Sequence, residues 1–121
     1  MNEFKLIVAG GRDFDDVYKL NNVLFAMADN EFKDYGVSIV SGMASGADRL
    51  AFLFAKANNV KCYEMPANWD KFGKRAGFMR NEEMAEVSDG LLAFWDGQSK
   101  GTAHMIQYMN KLKKPVHIVK Y

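Results

Sequence analysis

Three times along this chain a short apolar run ends in glycines and gives way to apolar residues at helical spacing. Phe4 to Ala9 stops at Gly10-Gly11, Val37 to Val40 enters Ser41-Gly42-Met43-Ala44-Ser45-Gly46, and Gly90 to Trp95 enters Asp96-Gly97-Gln98-Ser99-Lys100-Gly101. Continuous rather than alternating apolar runs mark strands buried on both faces, the signature of a parallel sheet. Parallel strands need crossover connections, and these wind right-handed and carry helices. The pattern therefore predicts an α/β chain with a Rossmann-like, three-layer α/β/α architecture and a mainly parallel sheet of about five strands.

The intervening segments fit this scheme. Val17, Leu20, Leu24 and Met27 form a helical stripe that Asp15 can cap, and Ala47, Leu50, Ala51, Phe54 and Ala55 form a second. Val60 to Met65 reads as a third strand, closed by Pro66, and a helix over roughly Ala76 to Val87 precedes Gly90 to Trp95. Thr102, Met105, Ile106, Met109 and Leu112 supply the last stripe, and Val116 to Val119 the closing strand. The stretch from Ala67 to Gly77 has a turn-like composition, with Trp69 and Phe72 among basic residues, and is expected to be a longer loop and lid.

With 121 residues, 49% of them hydrophobic, the chain is expected to form one domain, 1–121, with no linker or second core. Lys+Arg 16 against Asp+Glu 15 leaves no overall field to draw it to a polyanion, so any nucleic-acid contact must be a local patch. The apolar runs are too short to cross a membrane, and a secretory leader is not expected. One cysteine, Cys62, permits no internal disulfide and fits a reducing cytoplasm.

In an open parallel sheet, ligands bind beyond the carboxyl ends of the strands, where helix N-termini present free N–H groups. Gly10, Gly11, Gly42, Gly46, Gly97 and Gly101 all fall there, and each lets the backbone approach a ligand closely. One such loop is explained by the turn it must make, whereas three together point to an anionic ligand. Neither the G-x-G-x-x-G fingerprint nor a P-loop is present. Arg12 follows the first glycine pair, where its guanidinium can grip a phosphate or pair with Asp13 or Asp48. Ser45 and Asp48 have capping-box spacing, so Asp48 either caps its helix or contacts a ribose hydroxyl. Ser99 and Thr102 flank Gly101, where they can cap the last helix or supplement its N–H donors.

Lys71, Lys74, Arg75 and Arg80, interleaved with Trp69 and Phe72, can clamp a phosphate and stack a base, or form a solvated surface. Arg80-Asn81 is the more specific pair, because both polar residues fall inside a helix. Lys111, Lys113 and Lys114 suit the negative end of the final helix, and His117 alternates within the last strand as a packing or edge residue. Catalytic sets are thin. His104 and His117 have no metal-ligand partner at a recognisable spacing, no nucleophile elbow is present, and no catalytic residue or metal site is assigned.

Taken in order, Gly10-Gly11-Arg12-Asp13-Phe14, Ser41 to Ala51, Pro66-Ala67-Asn68-Trp69, Gly73 to Gly77, Arg80-Asn81 and Gly97 to Thr102 resemble the YspA-like, YpsA-related branch of the SLOG superfamily. The resemblance covers nearly the whole chain. It implies a Rossmann-like core shared with the phosphoribohydrolases known as LOG proteins and with the DNA-processing protein DprA. It also implies a nucleotide-derived ligand, such as ADP-ribose, an NAD derivative or a nucleoside phosphate, and a homo-oligomer. Ligand contacts implied on the matching positions are Gly10, Gly11, Arg12, Ser41, Gly42, Asp48, Trp69, Arg80, Asn81, Gly97, Ser99, Gly101 and Thr102. LOG proteins continue the last glycine loop as Gly-Thr-x-x-Glu with a catalytic glutamate, whereas this chain has Met105 there. A thioether cannot replace a carboxylate in acid–base work or at an oxocarbenium-like centre, so the departure favours binding over turnover. Hydrolysis through His104, Glu82 or Glu83, and single-stranded DNA binding of the DprA kind, are the alternatives.

Overall fold

The computed structural model describes residues 2–121. The chain runs β1 (Asn2–Gly10), α1 (Val17–Asp29), β2 (Tyr35–Ser41), α2 (Ala47–Ala57) and β3 (Cys62–Glu64). It continues through α3 (Trp69–Phe72), a 3-10 turn (Gly73–Arg75), α4 (Ala76–Val87), β4 (Gly90–Trp95), α5 (Lys100–Lys111) and β5 (Val116–Lys120). The sheet has the order β3-β2-β1-β4-β5, and every neighbouring pair is parallel. The chain winds outward from β1 to β3, then returns to the other side of β1 to place β4 and β5. That reversal opens a gap beyond the carboxyl ends of β1 and β4, the place where open α/β sheets bind ligands.

Strand alternation divides the core into two layers. Leu6 and Val8 of β1 face α1 and α2, where they meet Leu20, Leu24 and Phe54. Ile7 and Ala9 face α4 and α5, where they meet Met84, Met105 and Met109. Both faces of β1 are buried, which is why its sequence reads as an unbroken apolar run. β5 is an edge strand, and His117 on it is exposed. Among the described residues no helix is long and apolar enough to cross a membrane.

Several local expectations are corrected. Asp16, not Asp15, caps α1: its carboxylate accepts from the Lys19 N–H at 3.0 Å, while the Asp15 carbonyl accepts from Val17. The capping box expected of Ser45 and Asp48 does not form. The residue at the start of α2 is Gly46, with φ +82°, and no side chain caps it. The Gly11 carbonyl takes the Ala47 N–H at 3.3 Å instead, so a loop from the neighbouring strand supplies the acceptor and Asp48 is released to turn inward.

Of the segment expected to be a loop, Ala67 to Gly77, the part from Trp69 onward is helical. Asn68 caps α3 by accepting from the Lys71 N–H at 3.1 Å, and the 3-10 turn leads straight into α4. Lys114 also acts elsewhere than expected. Its ammonium donates to the carbonyls of Ala85 and Ser88, each at 2.7 Å, and so closes the C-terminal end of α4, while its backbone N–H donates to the Met109 carbonyl of α5 at 3.0 Å.

Candidate functional site

A crevice of about 460 Å³ lies at the switch point between β1 and β4. The loop after β1 forms one wall, α4 another, and the N-terminus of α5 a third. Gly10, Gly11, Arg12, Asp48, Trp69, Arg80, Asn81, Ser99, Gly101 and Thr102 all line it, so residues from across the whole sequence converge on one space. A second hollow of about 500 Å³ adjoins it beneath the β2 loop and Pro66, sharing Arg12, Ala44, Trp69 and Arg80 and including Gly42.

Backbone approach explains the glycines individually. A Cβ on Gly10 would collide with the Phe94 carbonyl, and one on Gly46 with the Gly11 carbonyl, so these two let three loops pack together. A Cβ on Gly42 would lie 2.7 Å from both Arg80 Nη1 and Asp48 Oδ2, so its absence lets a cation and a carboxylate gather over bare backbone.

Arg80 is held by its neighbours. Nη1 donates to the Gly42 carbonyl at 2.6 Å and Nε donates to Asn81 Oδ1 at 3.1 Å. The Asn81 amide in turn donates to the Gly101 carbonyl at 3.1 Å, which links α4 to the start of α5. Burial pulls the Arg80 guanidinium below its ordinary value, and the nearby Asp48 charge opposes that shift. Asp48 is 4% exposed. Burial pushes its carboxyl up to about 6, against the opposing influence of Arg80, the Ala44 amide and Arg12.

Arg12 is exposed and leans over the Trp69 ring, 5.8 Å from its centroid. The indole itself rests on α4, where a Cβ at Gly77 would come within 3.1 Å of it. At the N-terminus of α5, the Ser99 hydroxyl pairs with that of Thr102 at 3.3 Å and does not cap the helix. Asp96 Oδ1 accepts from the amides of Gln98 and Ser99, both at 2.8 Å, and these bonds hold its carboxyl below the usual range. Gly97, with φ +85°, serves this turn and lines neither hollow. Ser41 also stands apart from both. It is fully buried, donating to the Asp48 carbonyl at 2.8 Å and accepting from the Met43 N–H at 3.1 Å.

His104 stays outside the crevice. Its ring lies on Phe78, with centroids 4.4 Å apart, its Nε2 is 3.3 Å from Glu82 Oε2, and its Nδ1 is 3.4 Å from the Asn81 amide nitrogen. Glu83 is exposed on α4. Of the cationic stretch read as a phosphate clamp, Lys74 and Arg80 line the crevice and Lys71 and Arg75 do not, while Asp13, Phe78, Asp96 and Met105 line it without a sequence signal for ligand contact. Asp96-Gly97 is a turn dipeptide whose aspartate was legible in principle. Phe78 carries no local mark, because only the packing of α3 against α4 brings it round.

The fold and this crevice define an open, parallel Rossmann-like domain with its candidate site at the strand ends. A profile of the YspA, cpYpsA-related SLOG family matches residues 4–72, and the chain belongs to that family. It is 34% identical over 119 residues to the Gene 61 protein of Mycobacterium phage D29, a match covering 93% of each chain. DNA processing protein A (DprA) from Streptococcus pneumoniae superimposes with a TM-score of 0.76 at 17% identity, over 97% of this chain and 50% of that one. DprA from Helicobacter pylori, whose structure addresses its single-stranded DNA binding mode, gives 0.64 at 21% identity, over 95% of this chain and 64% of that one. The chain therefore spans about half to two thirds of the DprA chains it resembles, and at these identities the likeness is one of fold.

Proposed function

We propose that the chain binds a nucleotide-derived ligand, with its phosphates at the crevice between β1, β4 and α5. The observation that carries this reading is the convergence of Arg12, Arg80 and the uncapped N-terminus of α5 on one glycine-lined space. Guanidiniums and helix N-termini are the standard means of holding phosphate. The half-exposed indole of Trp69 in the crevice lining supports a stacking contact with a base. The volume of about 460 Å³ is of the size that small-ligand sites have. Met105, buried at the crevice wall where LOG proteins carry glutamate, supports binding over base–ribose hydrolysis. Cys62, the single cysteine, and a phage relative support a cytoplasmic setting.

A thermal-shift panel tests the reading, with ADP-ribose, cyclic ADP-ribose, NAD, AMP and a short single-stranded oligonucleotide, repeated on Arg80→Ala. A ligand at 100 times its Kd adds about 2.7 kcal/mol, a shift of several degrees for a domain of this size. A shift with one nucleotide, lost in Arg80→Ala, is the expected result. A shift with the oligonucleotide alone, falling steeply with salt, would replace the reading with DNA binding of the DprA kind.

A further inference from the structure

Asp48 is an odd residue to find in a site for anions. It stands on the first turn of α2, almost fully buried, and still contributes to the crevice wall. A carboxylate has about four lone-pair sites. The donors near Asp48 are few: the Ala44 N–H reaches Oδ2 at 3.4 Å, and the Gly10 amide favours its charged form. Neither guanidinium closes on it. Arg80 spends its Nη1 and Nε on Gly42 and Asn81, Arg12 leans on Trp69, and the one ion pair within 4.0 Å among the described residues is His104–Glu82. Among the described residues two backbone N–H groups and no side-chain donor serve this buried carboxylate, which leaves acceptor capacity on a residue of the crevice wall. A ligand made only of phosphate would meet an uncompensated negative charge there. A ligand carrying hydroxyl donors beside its phosphate would satisfy both the cations and the carboxylate.

We propose that Asp48 is the specificity residue of the site: it accepts hydrogen bonds from the vicinal hydroxyls of a phosphorylated ribose whose phosphate Arg12 and Arg80 hold. This rests on the nucleotide-binding reading and sharpens it to ribo rather than deoxyribo ligands. Cation and acceptor are already gathered over Gly42, where Arg80 Nη1 and Asp48 Oδ2 lie equally close to the position of a missing Cβ. A site built to bond a hydroxyl rejects the analogue that lacks it, because the buried acceptor is then left unpaired.

The test is isothermal titration with AMP, 2′,3′-dideoxy-AMP and inorganic pyrophosphate, on the wild-type chain and on Asp48→Asn. AMP should bind the wild type about 10- to 100-fold more tightly than the dideoxy analogue, the range for a hydrogen bond to a charged group. In Asp48→Asn the gap should narrow to within about 3-fold, while pyrophosphate binds at least as well because a like charge has gone. Equal binding of AMP and dideoxy-AMP to the wild type would overturn the role of Asp48 and leave the phosphate site standing. Failure of all three probes would overturn the nucleotide reading and this inference with it. The wild-type comparison decides alone if circular dichroism shows that Asp48→Asn does not fold.

Discussion

Arg80 reaches from α4 to the carbonyl of Gly42, 2.6 Å away, and so ties the second glycine loop to the helix on the other side of the crevice. The same guanidinium lines both hollows, so a structural tie and a candidate phosphate contact coincide in one side chain. Arg80→Ala should lower nucleotide affinity by about 1.5 to 3 kcal/mol, the worth of a charge-assisted bond. Arg80→Lys should recover only part of it, since an ammonium lacks the planar fork. Titration calorimetry on both variants checks this, and unchanged affinity in folded Arg80→Ala would remove the residue from the site.

Trp69 separates binding from stability. It is 48% exposed and packs on Gly77 with Arg12 above it. Trp69→Ala should change the unfolding free energy by no more than about 1 kcal/mol, as for other exposed sites. It should weaken a base-bearing ligand by about 1 to 3 kcal/mol, the cost of a lost stacking platform. Inorganic pyrophosphate, which has no base, should bind both forms alike. An equal loss for both probes would mean that the indole supports the phosphate site and covers no base.

Asp48 makes stability depend on pH in the direction opposite to an ordinary ion-paired carboxylate. Its native pKa of about 6 lies above the value near 3.9 of an unfolded chain. Between those values the native state holds a proton that the unfolded state has lost, so stability falls as pH rises from about 4 to about 6. Two units of difference correspond to about 3 kcal/mol. Asp48→Asn should remove this slope and be the more stable protein at pH 7. Urea unfolding midpoints from pH 4 to 7.5 measure it, and parallel curves for the two proteins would contradict the assignment.

Gly46→Ala should destabilise strongly. Its φ of +82° disfavours any side chain, and the added Cβ would strike the Gly11 carbonyl that takes the first amide of α2. Strained backbone of this kind costs about 1 to 3 kcal/mol before the collision is counted. Thermal unfolding checks it. A midpoint within a degree of wild type would show that the loop has room to move.

Lys114→Met supplies the control. Losing the donor to Ala85 and Ser88 should cost about 1 to 2 kcal/mol of stability by leaving the end of α4 unpaired. Nucleotide affinity should not change, because Lys114 lines neither hollow. A fall in affinity matching that of Arg80→Ala would show that the position of α4 is itself limiting.

What could be read from the sequence was whatever depends on local period and backbone freedom. The unbroken run around Leu6 to Ala9 specified a strand buried on both faces, and the helical stripes specified which sides of α1, α2 and α5 face the sheet, except at Val17, which is 44% exposed. Glycines after three strands pointed to the strand ends as the candidate site, and Arg12, Arg80 and Trp69 line one crevice there. What could not be read was every feature in which a distant group competes with a local one. Ser45 and Asp48 have the spacing of a capping box, yet the Gly11 carbonyl reaches Ala47 first and frees Asp48 for the crevice. Lys114 sits at the end of α5 and bonds the end of α4. Trp69 finds Gly77 beneath it, and the turn-like stretch before α4 is helical from Trp69 onward. Sequence spacing fixes which partners a residue can reach within a turn or two. Only the folded chain decides whether a partner from another strand or helix is closer, and at this site it usually is.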